Sequence, residues 1–357
     1  MKKAFILCDT PYQIMNGLNI ILNLQDDIVF DLYIINQFET ACTVYNNIEL
    51  SDRLNNVILI KRTRNKLLSH IKDYTDYLLP ESVYRNLIIK SKKKATDFKY
   101  DIIFASVYTR EACVMSYLNN KADFYLFDDG NGSYSGRITL DTINPIKMKL
   151  YRLFHIGPPM IKLQRLYVNN AKMCNSKMTQ NIIQLPRITE DYIKYLYSVF
   201  GEQNDRFDKR IVWLTTPNEL CYDISSLDNK IMDCLKEFYS DVCIRLHPRQ
   251  QDSERFCGFS IDNNNRLWEL SISDSSINNK ILIGLFSSAQ TNPKYLFDNE
   301  PYLIFLFPFY ASCIHNSLIE RMNQSIELLK EVYSDPSKIR TAKDIDELRS
   351  IILEWIQ

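Results

Sequence analysis

Hydrophobic positions along this chain come in short runs separated by amphipathic stretches. Residues 4–8 (AFILC) are apolar throughout, the pattern of a strand buried on both faces. The stretch PYQIMNGLNIILNL, 11–24, predicts a helix with Thr10 as its N-cap and Pro11 at its first position. Further apolar runs predict strands at 29–36, 56–61, 100–107 and 122–129 and a helix at 109–120, and the charged stretch 64–97 reads as helical. A second series follows: strands at 211–217, 242–248 and 301–307, a strand meeting a helix start across 280–292, and helices at 228–241 and 342–356. Strands alternating with helices build βαβ units, so the class is α/β with mainly parallel sheets.

Length then sets the number of domains. The 357 residues suit two cores rather than one. The polar stretch GEQNDRFDKR marks the boundary, giving domains 1–200 and 201–357. Two parallel-sheet domains of similar size imply a cleft between them, with ligands beyond the carboxyl ends of the strands. Hydrophobic residues make up 46% of the chain, which excludes a disordered protein. Lys plus Arg equals Asp plus Glu at 43 each, so nothing global points to nucleic acid. The nine cysteines contain no C-x-x-C pair, which removes zinc-ribbon and thioredoxin readings and fits a reducing compartment. The apolar run after MKK stops at Asp9, too short for a signal peptide, and no run approaches a membrane span, so a cytoplasmic protein is expected.

One segment departs from the alternation. Residues 137–177 carry eight lysines and arginines against the single acid Asp141, with apolar residues between them. Two readings stay open. The segment is a helical arm packed on its own protein or on a second copy in a homodimer, or it lies peripherally on the anionic inner face of the cytoplasmic membrane.

Candidate chemistry gathers where strands end. Asp128 and Asp129 close a predicted strand and enter a loop with Gly130, Gly132 and Gly136. Adjacent side chains on extended backbone point opposite ways, so one carboxylate can face a ligand as a general base. An Asx-turn leaving the strand fits the same residues. His247 ends another strand and is followed by Pro248, with Arg245 and Arg249 flanking it, the setting of a proton donor or anion ligand. Ser287 and Ser288 stand where a helix begins, as an anion site or as a simple N-cap. Glu269 lies between these motifs and suits ribose hydroxyls. Thr10, Pro11, Tyr12 and Gln13 follow the first strand and are candidates for substrate contact. There is no P-loop, G-x-G-x-x-G after the first strand, G-x-S-x-G, H-E-x-x-H or D-x-D at a strand end. No obligatory metal or cofactor is expected.

The order DDG, then HP, then SS, each after a strand, resembles the bacterial sialyltransferases. The opening strand followed by TPYQIMNGLN is similar to glycosyltransferase family 52, which includes lipooligosaccharide and capsule sialyltransferases. The resemblance runs from the first strand to about residue 310. It implies a GT-B-like fold of two Rossmann-like domains, the first on the acceptor side and the second binding the CMP donor. It implies metal-independent, inverting transfer from CMP-sialic acid (CMP-Neu5Ac) to a galactose-terminated surface glycan. One of Asp128 and Asp129 would be the base, with Asp128 favoured by the family role. Gly130 would let the acceptor approach. His247, with Pro248 and Arg249, would meet the departing phosphate, Ser287 and Ser288 would hold it, and Glu269 would bind the CMP ribose. The alternatives are another donor such as UDP-glucose, or a non-catalytic assembly subunit.

Overall fold

A parallel sheet covered on both faces needs strands that are apolar throughout, and the central strands of this chain meet that demand. The computed structural model describes every residue except 25–26, 63–75, 95–96, 135–144, 175–178, 180, 202–207, 217–223, 248–253, 263–266 and 357, and the side chains of 224–225. The chain divides into two compact units, Met1–Gly201 and Glu202–Gln357.

The first unit holds an eight-stranded sheet: β1 (Lys2–Cys8), β2 (Ile28–Asn36), β3 (Leu54–Lys61), β4 (Ile88–Ser91), β5 (Ile102–Ala105), β6 (Asp123–Phe127), β7 (Leu163–Val168) and β8 (Ile182–Gln184). Their spatial order is β4-β3-β2-β1-β5-β6-β7-β8. Every neighbouring pair is parallel except β3 and β4. The order reverses direction between β1 and β5, the kind of switch point beside which open α/β sheets take their ligands. The predicted first helix is present as Pro11–Asn23, and Gln13 N donates to its Thr10 Oγ1 cap.

Two departures from the sequence reading concern lysine-rich stretches. The stretch 64–97 is not uniformly helical. Its described part holds helix Pro80–Leu87 and then β4, a short edge strand whose Lys90 discourages further pairing. The basic segment 137–177 is not one helical arm. It holds helix Pro145–Leu153 and then β7, an interior strand between β6 and β8. β7 escapes a pattern search because Gln164 and Arg165 interrupt its apolar run. In the fold the Arg165 guanidinium lies 5.1 Å over the Tyr125 ring and Arg165 Nη1 donates to Tyr167 OH. Its stem therefore covers the sheet rather than extending into water.

The second unit has a six-stranded, all-parallel sheet: β9 (Ile211–Leu214), β10 (Val242–Arg245), β11 (Ser260–Asp262), β12 (Ile281–Gly284), β13 (Tyr302–Phe305) and β14 (Ile339–Thr341). The order is β11-β10-β9-β12-β13-β14, the doubly wound arrangement with its switch point between β9 and β12. Leu214 is level with Arg245 on one side and Gly284 on the other. Among the described residues no helix is long and apolar enough to cross a membrane.

Helix Ser288–Phe297 follows β12 and contains Pro293 in its interior. Proline has no N–H, so the carbonyl four residues back, Ala289 O, loses its helical donor. The Trp268 indole supplies one instead, with Nε1 donating to Ala289 O at 2.8 Å. Trp268→Phe should therefore destabilise this unit by about 0.5–1.5 kcal/mol, the usual net worth of a hydrogen bond. Pro293→Ala restores a helical donor, so the cost of Trp268→Phe should shrink in that background. A double-mutant cycle on thermal melts reads the difference, and equal costs in both backgrounds would refute the substitution of donor.

Candidate active site

Asp128 and Asp129 lie just past the end of β6, and the fold treats them differently. Asp128 is 0% exposed. A carboxylate without water must find donors, and Asp128 has four. Gly130 N donates to Oδ1 at 2.7 Å, and Tyr134 OH, Asn169 N and Asn169 Nδ2 reach Oδ2 at 2.6, 3.0 and 3.0 Å. Burial pushes this carboxyl above the usual aspartate range, while the bonds from Asn169, Tyr134 and Gly130 pull it back. The Gly130 contact is an Asx-turn, and Gly130 itself has φ 91°, where a side chain would be strained.

Asp129 faces the other way and is half-buried. Its amide donates to Ser133 Oγ at 2.8 Å, which closes the loop under it. Its Oδ1 accepts from Gln13 Nε2 at 2.6 Å. Gln13 is buried, and its other end accepts from Asp9 N, also at 2.6 Å. Gln37 Nε2, just past β2, donates to Asp9 O at 2.6 Å. The TPYQ motif after β1 and the DDG motif after β6 are thus joined by one side chain across the β5 position, a span of roughly 10 Å at the usual strand spacing. Asn16 Nδ2 donates to Asp128 O at 3.2 Å, and Asn169 Nδ2 is also 3.1 Å from Tyr12 OH.

In the second unit the expected residues also stand at strand ends. His247 follows β10, half-buried, and its amide donates to Thr215 Oγ1 at 2.9 Å. Thr215 N in turn donates to Arg245 O, so the end of β9 fixes where His247 leaves the sheet. Pro248 and Arg249 lie outside the described residues. Arg245 is buried, pairs with Asp262 on β11, and its guanidinium lies 4.8 Å over the Trp268 ring.

Ser287 is the N-cap of helix Ser288–Phe297: its Oγ accepts from Ala289 N, and Gln290 Oε1 accepts from Ser287 N. This is a capping box, with glutamine as the third-position partner. Gln290 is fully buried and its Nε2 also donates to Leu282 O and Ile304 O. The plug leaves no room for a side chain at Gly284, where an added Cβ would lie 2.9 Å from Gln290 Oε1. The Ser287–Ser288 turn stands at the switch point, two strands from the end of β10, with the Ser287 and Ala289 amides taken up by the capping box. Glu269 is buried and its Oε1 accepts from Asn292 Nδ2 at 2.8 Å, which ties it to the same helix. Asn292 Oδ1 is buried, and none of the described residues donates to it. Such an acceptor is costly to leave open and suits a ligand hydroxyl or amine.

Sequence reasoning missed Asn16, Tyr134, Asn169, Thr215, Gln290 and Asn292. Their neighbours could have flagged Asn16, inside TPYQIMNGLN, Tyr134, four residues past DDG, and Gln290, two past the serine pair. Asn169 carried no signal, because its strand was hidden in the basic segment. Among the described residues no cluster of His, Cys, Asp and Glu could hold a metal ion.

No protein-family model and no curated protein matches this sequence. Solved structures do match in fold. A glycotransferase of kitacinnamycin has TM-score 0.53 and 10% identity, over 99% of this chain and 90% of its own. Arabidopsis thaliana UGT89C1 complexed with UDP-L-rhamnose has TM-score 0.51 and 8% identity, over 99% and 88%. A Listeria monocytogenes protein described as a UDP-N-acetylglucosamine 2-epimerase has TM-score 0.51 and 7% identity, over 99% and 87%. The chain is an α/β protein of two parallel-sheet domains, and its fold is that of GT-B glycosyltransferase structures.

Proposed function

We propose that this chain is a metal-independent, inverting sialyltransferase that moves sialic acid from CMP-sialic acid to a galactose-terminated surface glycan. The observation that carries the reading is the Gln13–Asp129 bridge, which sets a half-exposed carboxylate among the TPYQ and DDG residues that resemble family 52. The GT-B fold supports sugar transfer from a nucleotide donor, and the donor's identity rests on the motifs.

Asp129 rather than Asp128 is the base in this mechanism. Asp128 is enclosed by four donors and cannot reach an acceptor without dismantling the loop, whereas Asp129 is partly open. Asp129 takes the proton of the galactose hydroxyl, and the hydroxyl oxygen forms a bond to the anomeric carbon of the donor. The bond from that carbon to the CMP phosphate oxygen breaks on the opposite face, and its electron pair leaves with the phosphate. Charge develops as in glycoside cleavage, through an oxocarbenium-like centre. His247 donates a proton or hydrogen bond to the departing oxygen, and the Ser287–Ser288 helix start holds the phosphate. Glu269 and the open Asn292 acceptor suit the nucleoside.

Incubation with CMP-Neu5Ac and lactose, without added metal, should yield sialyl-lactose and CMP. Asp129→Asn and His247→Ala should each lower kcat by about 10²–10⁴-fold with unchanged melting temperature, the usual range for a general acid or base. Glucosyl transfer from UDP-glucose in place of sialyl transfer would overturn the donor and keep the transferase. No transfer from either, by a folded protein, would leave the assembly-subunit alternative.

Asp128→Asn gives the converse result. Its new NH₂ must face the N–H of Gly130 or the donors at Oδ2, so stability should fall by about 1–3 kcal/mol. Full activity loss in Asp128→Asn at native stability, with Asp129→Asn still active, would return the base to Asp128.

A further inference from the structure

Helix Pro145–Leu153 lies in the same β6–β7 connection that begins with the DDG loop, and the proposed chemistry does not use it. Its one buried side chain is Tyr151. Ile146 and Leu153, seven residues apart, share a face and are 71% and 69% exposed. Lys149 and Arg152 are exposed beside them. Phe154, 58% exposed, and Met160 extend the apolar surface past the helix end.

The end is built rather than frayed. Ile156 N donates to Tyr151 O at 3.0 Å and His155 N to Arg152 O at 3.3 Å, with His155 in the left-handed region at φ 53°. This Schellman closure turns Ile156 inward beside Tyr151 and leaves Leu153 and Phe154 outward. Between Asp141 and Glu190 the sequence has no acid, while it has Lys147, Lys149, Arg152, Lys162, Arg165, Lys172, Lys177 and Arg187. Apolar side chains pointing outward beside lysines, without acids, complement the headgroup region of an anionic bilayer. A protein partner or a second copy of this chain would more often meet an apolar patch with fewer flanking like charges.

We infer that helix Pro145–Leu153 and Phe154 dock this protein on an anionic membrane surface, Leu153, Phe154 and Ile146 entering the interface and Lys149 and Arg152 meeting lipid phosphates. The inference goes beyond the donor assignment and survives its failure.

Co-sedimentation of the full chain with phosphatidylcholine vesicles, with and without phosphatidylglycerol, tests it. Wild type should pellet with the anionic vesicles only, and less at high salt. Leu153→Ser/Phe154→Ser should lower the partition coefficient at least about tenfold. Lys149→Gln/Arg152→Gln should lower it by roughly fivefold per charge removed. Both pairs replace exposed side chains, so melting temperature should stay at the wild-type value. No pelleting of wild type with anionic vesicles, or equal pelleting of the variants, would overturn the inference. So would a dimer in native mass measurements that Leu153→Ser/Phe154→Ser splits, which would make the patch a contact between copies.

Discussion

A carboxylate cut off from water must be answered by donors, and the ends of β6 and β7 in the first unit are arranged around that demand. Asp128 collects the amides of Gly130 and Asn169, the Asn169 side chain and the Tyr134 hydroxyl. Those donors come from the loop after β6 and from the end of β7, so one buried charge pins two strand ends. The pinned loop then has no choice about Asp129, which must leave on the opposite side. The separation of a fixed acid from an available one follows from extended backbone geometry and from the cost of an unanswered buried charge.

The second unit reaches a similar end by neutral means. Thr215 ties the exit of β10 to that of β9, and Gln290 ties the start of its helix to β12 and β13. Neither of these ties uses a charged group, and His247 and the Ser287–Ser288 turn stand beside them at the strand ends. The GT-B fold seen in the structural neighbours is shared by proteins whose descriptions name a transferase and an epimerase. A shared fold does not fix a reaction, which depends on the side chains at these strand ends.

The interior strands were legible because parallel strands buried on both faces are unbroken apolar runs, as in AFILC or ILIG. The three-residue strands β8, β11 and β14 were not, since so few residues give no period to read. β7 was hidden by Arg165, whose charge masked a stem lying on Tyr125. The strand-end positions of Asp128, Asp129, His247 and Ser287 could be read from the alternation of apolar runs and turns. Their division of labour could not, because sequence does not say which of two adjacent carboxylates has been enclosed. Nor does it say that Arg245, two residues before His247, pairs with Asp262 on β11.

The indole bond to Ala289 has a further thermodynamic meaning. Helix Ser288–Phe297 cannot complete its own ladder at Pro293, so its first turn borrows a donor from a residue 21 positions upstream. Local opening of the Trp268 turn withdraws that donor and loosens the amides that follow Ser287. The two segments then share one opening equilibrium rather than two. Any molecule that binds the closed helix start holds the Trp268 turn shut by the same free energy, and hydrogen exchange at the two places would slow together.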